Sequence, residues 1–307
     1  MMRGLEGRAE ALAGTFNAQN VANTLWAYAT MGREPGAGMM RGMEGRAEAL
    51  AGTFNAQNVA NTLWASATMG REPGAGLMRG LEGRAEALAG TFNAQEVANT
   101  LWAACVFSLV FDPGHGWRLL HAVVERLVSL GDASCFNAAE LCQIHQFLVS
   151  CRVEPRLRME AIDDMRALRE RGREALECAK AAPSAMQQQV SETLRRMGMS
   201  VEDEVRCPKS GYSIDMILHR HVHDSGRGMG GERISSTSTW AVEFDGPSHF
   251  LTSRAPTGAT LLKRRHLELL GHALVTVPYW EWEVCKRAGE REQYLRGKLA
   301  DCVQTQR

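Results

Sequence analysis

Three features that the sequence lacks limit the classes of partner and of cysteine chemistry to be expected for this chain. Excess positive charge is missing, because 35 Lys and Arg residues balance 35 Asp and Glu residues, and residues 1–150 contain no lysine. Electrostatics alone therefore does not predict a nucleic-acid partner. No apolar run approaches the roughly 18 residues that span a bilayer, so no membrane partner is expected. The eight cysteines form no Cys-x-x-Cys pair, and most are expected to be small buried thiols in a reducing compartment.

The strongest positive signal is an internal repeat of 38 residues, visible in the spacing of two aromatic positions: Phe16, Phe54, Phe92 and Trp26, Trp64, Trp102. Copies occupy residues 1–38, 39–76 and 77–114, and residues 115–150 form a degenerate fourth unit. Such a period is typical of α-helical solenoids, whose units bury their apolar faces only against neighbours. We therefore predict a helical array over 1–150, a helical cap or linker over 151–185, and a second domain over 186–307.

Each repeat is predicted to be a pair of helices. In the second copy, residues 40–50 and 59–67 both place apolar side chains about one helical turn apart. Thr53 or Asn55 is the predicted N-cap of the second helix, and Gly70 lies where that helix should end.

The second helix of each pair carries the candidate RNA contacts of the array: Asn20, Asn23, Asn58, Asn61 and Asn99. Together with Thr62, these side chains are predicted to lie away from the apolar stripe, where amides repeated once per unit could contact successive bases. The alternatives are solvent-facing residues or hydrogen bonds between repeats. Trp64 and its equivalents are expected to pack neighbouring repeats together more often than to stack on bases.

The string at residues 58–65, Asn-Val-Ala-Asn-Thr-Leu-Trp-Ala, resembles the octotricopeptide repeats of green-algal organelle proteins, and it is similar to the helical repeats of the FAST-kinase-like family. The resemblance implies single-stranded RNA, from chloroplast or mitochondrial transcripts, as the partner, with protein partners in a ribonucleoprotein complex as a further expectation. If one repeat reads one base, near-identical units should prefer one homopolymer. Residues 1–4 match the middle of a repeat, so no transit peptide is visible and the chain is expected to begin inside a longer array.

Past Pro183 the pattern changes to a small α/β domain. A long helix over 156–181 is predicted to precede it. The predicted elements are a helix at 186–197, strands at 201–205, 212–219, 240–244 and 273–277, a flexible loop at 224–239, and helices at 259–270 and 288–301. Leu262, Leu269 and Leu270 are expected to face inward.

The string Val242-Glu243-Phe244-Asp245-Gly246-Pro247-Ser248-His249-Phe250 resembles the centre of the RAP domain, with a core over 240–299. Leu262–Leu267, Gly271 and Val277–Trp282 follow in the order of that domain. The resemblance implies a C-terminal RNA-binding module after a helical array. The candidate RNA contacts in it are basic or aromatic: His249, Lys263, Arg264, Arg265 and Trp280. Tyr279 and Trp282 are further candidates for base stacking, although at least one tryptophan is expected in the core.

RAP domains are also similar to the PD-(D/E)xK restriction-endonuclease-like fold, which raises an enzymatic alternative. Asp215, Glu243 and Asp245 could converge as a carboxylate cluster for Mg²⁺ in an RNA endonuclease. Glu243-Phe244-Asp245 lacks the lysine of the nuclease pattern, and Lys263 is the candidate replacement. The same Asp245 equally suits a plain turn, and His249 suits either a proton-transfer role or a turn. RNA binding itself is expected to need no cofactor. A protein-interaction scaffold is the third reading.

A last motif is the alternation of His219, His221 and His223, followed by Asp224. Alternation along a strand would place the three imidazoles on one face, which is a possible metal clamp. The stretch runs into the predicted flexible loop, so a metal site is the less favoured reading.

Overall fold

The computed structural model describes residues 2–107, 116–179, 182–220 and 238–305. The chain divides into two compact units. Unit 1 contains residues 1–178 together with 248–263, and unit 2 contains residues 179–247 together with 264–307. Within the described residues, no helix is both long and apolar enough to cross a membrane.

Unit 1 is a stack of helix pairs. The first helices of the pairs are α1 (Met2–Leu12), α3 (Ala37–Leu50), α5 (Ala75–Leu88) and α7 (Gly116–Leu130), and the second helices are α2 (Ala18–Thr30), α4 (Ala56–Thr68), α6 (Ala94–Val106) and α8 (Ala138–Val153). First helices pack on first helices and second helices on second helices, so the array has two layers. Both predicted helices are present in every pair, the degenerate fourth unit included.

Local sequence sets the ends of the second helices. The N-cap is Asn55 rather than Thr53: the Asn55 side chain accepts a hydrogen bond from the Asn58 backbone N–H at 2.8 Å. Thr53 instead donates its hydroxyl to the carbonyl of Leu50. Asn17, Asn93 and Asn137 cap their helices in the same way. Gly70 ends α4 with a φ of 63°, a backbone conformation that residues other than glycine rarely adopt.

Two contacts recur between successive pairs. An arginine on each incoming first helix donates its Nε to a phenylalanine carbonyl of the preceding pair: Arg46 to Phe16 at 2.7 Å, Arg84 to Phe54 at 2.6 Å and Arg126 to Phe92 at 2.7 Å. The second contact is between small residues of successive pairs. Gly80 lies so close to Ala51 that a Cβ added at Gly80 would be 2.6 Å from the Cβ of Ala51. Small residues therefore allow successive pairs to approach closely, and the arginine hydrogen bonds fix the register between them.

The predicted long helix over 156–181 is wrong at its start. Residues 155–157 and 160–162 form 3-10 turns, and the helix, α9, spans only Arg166–Cys178. The reason is burial: Leu157, Met159 and Ile162 are all buried in the core of unit 1, and their spacing of two and three residues does not follow one face of an α-helix.

Residues 248–263 complete unit 1. Leu251 and Leu262 belong to its apolar core, and the backbone N–H of Thr252 donates to the carbonyl of Gly32 at 2.9 Å.

Unit 2 is built on a four-stranded mixed sheet in the order β1-β2-β3-β4. The strands are β1 (Ser200–Arg206), β2 (Ser213–Arg220), β3 (Ser238–Asp245) and β4 (Ala273–Pro278), of which β3 and β4 are parallel and the other pairs antiparallel. The helices are α10 (Ala185–Arg196), α11 (Gly258–Leu269, whose first six residues belong to unit 1), α12 (Tyr279–Val284) and α13 (Ala288–Thr305). Tyr279–Trp282 thus form a helix of their own.

The core of unit 2 lies on one face of this sheet. Alternate residues of β3, Trp240, Val242 and Phe244, are buried there with α10 and α13, as strand alternation requires. The intervening Glu243 therefore points to the other face. One predicted inward residue of α11 is wrong: Leu269 is 49% exposed, because Leu267 is the buried residue of that turn.

The prediction that most cysteines are buried is confirmed only in part. None of the eight cysteines, all of which lie in the described ranges, forms a disulfide, but only Cys105, Cys151 and Cys207 are buried, while Cys135 and Cys178 are exposed.

The close approach at Gly80 gives a stability prediction. Gly80→Ala should lower the urea midpoint of the full chain, because overpacking a tight contact costs about 1–3 kcal/mol. Gly83→Ala on the same helix is the matched control, since nothing lies within 4 Å of its added Cβ, and it should stabilise α5 by about 0.5–1 kcal/mol. Equal midpoint changes for the two variants would contradict the packing described.

Candidate nucleic-acid interface

The second helices present one asparagine and one tryptophan at equivalent positions of each repeat. Residues three apart on a helix share a face, so each pair is adjacent on the helix surface. Because α2, α4 and α6 pack side by side, the pairs form a continuous row. This Trp–Asn row consists of Asn23, Trp26, Asn61, Trp64, Asn99 and Trp102.

The first two tryptophans of the row lie against each other. The rings of Trp26 and Trp64 have centroids 6.4 Å apart and are tilted by 35°, which confirms that tryptophans pack neighbouring repeats together. In the fourth unit, Gln143 and Gln146 stand at the positions that the asparagine and the tryptophan occupy in the other repeats. The indole N–H of Trp102 donates to Gln146 Oε1 at 2.7 Å, and the amide of Gln143 donates to Asn99 Oδ1 at 3.1 Å.

Exposure falls along the row. Trp26 is 45% exposed, Trp64 is half-buried and Trp102 is 5% exposed. The asparagines follow the same order, with Asn23 exposed and Asn99 buried. The accessible part of the row therefore lies on α2 and α4, two helices whose sequences contain no charged residue.

Three side chains of the array that the sequence predicts as RNA contacts, Asn58, Thr62 and Asn20, lie outside the Trp–Asn row. Asn58 is 7% exposed and Thr62 is fully buried, so the prediction that they face away from the packed side is wrong. A second helix is covered on both flanks by the second helices beside it, which sequence periodicity within one repeat does not reveal. Asn20 is exposed, but its Oδ1 accepts the backbone N–H of Asn17 at 3.2 Å, which makes it part of a capping box.

The three carboxylates singled out in the sequence belong to neighbouring strands of unit 2. Asp215 on β2 accepts the backbone N–H of Phe244 at 2.8 Å through Oδ2. Glu243 and Asp245 on β3 are 2% and 1% exposed. Arg264, from α11, donates to Asp245 Oδ2 at 2.6 Å in a nearly buried ion pair. Asp245 is thus neutralised by a cation of the protein itself.

This arrangement is a poor fit to Mg²⁺. A Mg²⁺ site needs oxygen ligands grouped around one point, and a guanidinium bound to one carboxylate opposes that grouping. In the part of the chain that the structure describes, no three His, Cys, Asp or Glu side chains are grouped to hold a metal ion. Lys263, the proposed substitute for the nuclease lysine, is half-buried on α11.

The histidine motif is described only at its first member. His219 Nε2 lies 3.1 Å from Glu202 Oε1 across the β1–β2 pair. His221, His223 and Asp224, with most of the predicted loop at 224–239, lie outside the described residues.

The remaining predicted contacts of the RAP-like region differ in accessibility. Lys263, Arg265 and His249 are half-buried, and the His249 carbonyl accepts the Thr260 hydroxyl at 3.0 Å. Trp280 is half-buried and meets Tyr279 edge to face, at 5.2 Å between centroids. Trp282 is 1% exposed and packs in the core, as expected for at least one tryptophan.

Sequence reasoning missed a cysteine–histidine contact in unit 2. Cys207 Sγ lies 3.7 Å from His272 Nε2, across 65 residues of sequence. Burial raises the pKa of this thiol, but hydrogen bonds from His272, from the Ser210 side chain and from the Ser210 and Lys209 backbones outweigh burial and lower the pKa to about 6. Because this pKa lies below neutral pH, we expect the thiolate form of Cys207 to predominate there. No short motif in the sequence signals it.

Comparison with known proteins identifies two families in this chain. Residues 242–298 match the RAP domain. Residues 13–25, 51–63 and 89–101 each match a family described as a protein of unknown function, DUF1601. Each of these three segments runs from the end of a first helix into the second helix of the same pair, so the family match repeats with the period of the array.

Relatives with both mitochondrial and chloroplastic names match parts of the chain. FAST kinase domain-containing protein 3, mitochondrial, is 32% identical in Bos taurus and 29% identical in Homo sapiens, over 33% of this chain and 13% of each relative. A RAP domain-containing protein, chloroplastic, from Oryza sativa subsp. japonica is 42% identical over 18% of this chain and 9% of that protein. The matched region is thus a small part of each relative's length.

The ion pair between Arg264 and Asp245 gives a second prediction. Arg264→Ala should destabilise unit 2 by about 3–5 kcal/mol in urea unfolding, because it leaves a buried carboxylate without its cation. The double variant Asp245→Ala/Arg264→Ala should lose less than the sum of the two single variants. Arg296→Ala, an exposed arginine on α13, is the control and should change little. Additive losses in the double variant would contradict a direct pair.

The Cys207 thiolate gives a third prediction, read from thiolate absorbance near 240 nm. The difference spectrum between the native chain and Cys207→Ser should titrate with a midpoint near pH 6. A lowered pKa means that the thiolate persists above that midpoint and is lost as the pH falls through it. His272→Ala should move the midpoint upward, because it removes a hydrogen bond to the charged form. A midpoint near 9 in the native chain would contradict the contact.

Proposed function

We propose that this protein binds single-stranded RNA of an organelle, and that the open part of the Trp–Asn row on α2 and α4 is its contact surface. The observation that carries the proposal is the repetition, in two adjacent repeats, of an accessible indole beside an accessible amide: Trp26 with Asn23 and Trp64 with Asn61.

The chemistry of the row suits bases rather than phosphates. Indole rings stack on any base, at about 1–3 kcal/mol per base, and a side-chain amide can both donate to and accept from a base edge. Since α2 and α4 carry no charge, few counterions would be released on binding. The contribution of the row to the affinity should therefore depend only weakly on salt, unlike that of a basic groove.

The RAP domain would supply a second RNA contact. Its candidates are the half-buried Lys263 and Arg265 for phosphates and Trp280 for stacking, with His249 beside the same motif. Arg264 is the weakest candidate of its cluster, because its guanidinium is bound to Asp245. The proposal requires no metal or other cofactor, and the enzymatic alternative gains no support from the pairing of Asp245.

The compartment and the process are proposed from the relatives. Their printed names are mitochondrial or chloroplastic, which supports an organellar location for this chain. A repeat array combined with a RAP domain suits stabilisation, processing or translation of organellar transcripts, within a ribonucleoprotein complex.

Fluorescence polarisation with labelled single-stranded RNA homopolymers tests this proposal. Trp64→Ala should weaken binding of the full chain about 5- to 100-fold, the equivalent of one lost base stack. Trp64→Phe, which keeps a ring, should restore most of the affinity. Because the repeats are near-identical, one homopolymer should bind best.

The control is Gln57→Ala, an exposed change on the same helix outside the row, which should leave affinity unchanged. A chain that ignores every homopolymer at 50 mM salt would reject the proposal and favour a protein-interaction scaffold. Equal binding to all homopolymers would reject base selection by the repeats while leaving stacking intact.

A further inference from the structure

The arginines that join successive pairs use only part of their hydrogen-bonding capacity for that contact. Arg46, Arg84 and Arg126 are half-buried, and each gives its Nε to the carbonyl of the phenylalanine before an asparagine N-cap. The Nη atoms of Arg46 and Arg84 have no partner among the described residues, whereas Arg126 donates Nη1 to the Ser129 hydroxyl at 3.1 Å. Two guanidinium groups are therefore held in place by one nitrogen and keep their outer nitrogens available to a ligand.

Both guanidinium groups lie where a second helix begins. Arg46 lies at the start of α2 and Arg84 at the start of α4, and the N-terminus of a helix carries partial positive charge. The segments that lead into these helices, residues 13–19 and 51–57, contain no acidic residue. We call the two arginines together with the N-termini of α2 and α4 the arginine edge.

The acidic residues two positions from Arg46 are engaged elsewhere. Glu44 forms an ion pair with Arg71 at 3.3 Å. The Glu48 carboxylate lies against Gly76 near the start of α5, where an added Cβ would overlap it. The positive charge of Arg46 is therefore not paired with either of these carboxylates.

The third pair differs in charge. In α6 the third residue is Glu96, where α2 and α4 have Asn20 and Asn58. The Glu96 carboxylate accepts the backbone N–H of Asn93 at 2.8 Å, and the carbonyl of the same peptide unit accepts Arg126. An anion at this position would meet a carboxylate, so the arginine edge, like the open part of the Trp–Asn row, is confined to the first two pairs.

We propose that the arginine edge binds the phosphates of the RNA whose bases stack on the Trp–Asn row. The inference rests on the proposed function and adds the backbone contact that the uncharged row lacks. A guanidinium with two free nitrogens matches two phosphate oxygens, and the helix N-terminus beside it favours the same charge. Asn23 lies five residues along α2 from Ala18, about 8 Å at 1.5 Å per residue, a separation that one nucleotide spans between its phosphate and its base.

The test is the salt dependence of binding to the preferred RNA homopolymer, measured by fluorescence polarisation of the full chain between about 50 and 200 mM salt. Arg84→Gln should lower the slope of log affinity against log salt by about 0.7, because one fewer phosphate charge is neutralised. At 50 mM salt this corresponds to an affinity about 5- to 10-fold weaker. Arg84→Lys, which keeps the charge, should retain the native slope.

Arg126→Gln is the matched control. It loses the same kind of hydrogen bond between pairs as Arg84→Gln, but its outer nitrogen is already bonded and Glu96 lies on the same peptide unit. The slope should therefore change little. Urea midpoints of the two glutamine variants show whether both chains remain folded under the binding conditions, so a loss of structure is not read as a loss of phosphate contact.

Trp64→Ala separates this inference from the proposed function, because it should weaken binding without changing the slope. A native slope in Arg84→Gln, or an equal loss of slope in Arg126→Gln, would overturn the inference and leave stacking on the row intact. Polyglutamate that displaces the RNA at equal charge concentration would also overturn it, since the edge would then suit an acidic protein segment. A native chain that binds no homopolymer would reject both proposals.

Discussion

The structure depends on one constraint: a two-helix unit of this composition cannot bury its own apolar face. Each pair must lie against the next, and the distance of approach is set by small residues such as Gly80 facing Ala51. The hydrogen bond from Arg84 to the Phe54 carbonyl then fixes how far one pair slides along the other. Equivalent side chains therefore come into line along the array, and a feature present once in the repeat becomes a continuous surface.

Packing that aligns the tryptophans also decides which of them stay accessible. Trp102 is buried and donates a hydrogen bond to Gln146, whereas the rings of Trp26 and Trp64 remain partly exposed to solvent. Internal contacts also occupy a candidate site residue in the RAP-like region, where the carboxylate of Asp245 is paired with the guanidinium of Arg264.

Much of the fold is legible in the sequence because it is encoded locally. The period of 38 residues, the asparagine caps and the alternation of Val242 and Phe244 each depend on neighbours a few residues away. What sequence reasoning missed depends on distant partners. The burial of Asn58 and Thr62 comes from adjacent repeats, the 3-10 turns at 155–162 come from core contacts, and Cys207 meets His272 only through the folding of unit 2.

The most direct test of the central claim is photo-crosslinking of the full chain to 4-thiouridine RNA, with the modified residues located by mass spectrometry. Contact along the open part of the row predicts crosslinked peptides from α2 and α4, centred on Trp26 and Trp64, with α6 much less modified. Crosslinks confined to the RAP domain, or spread over charged surfaces of the first helices, would contradict it.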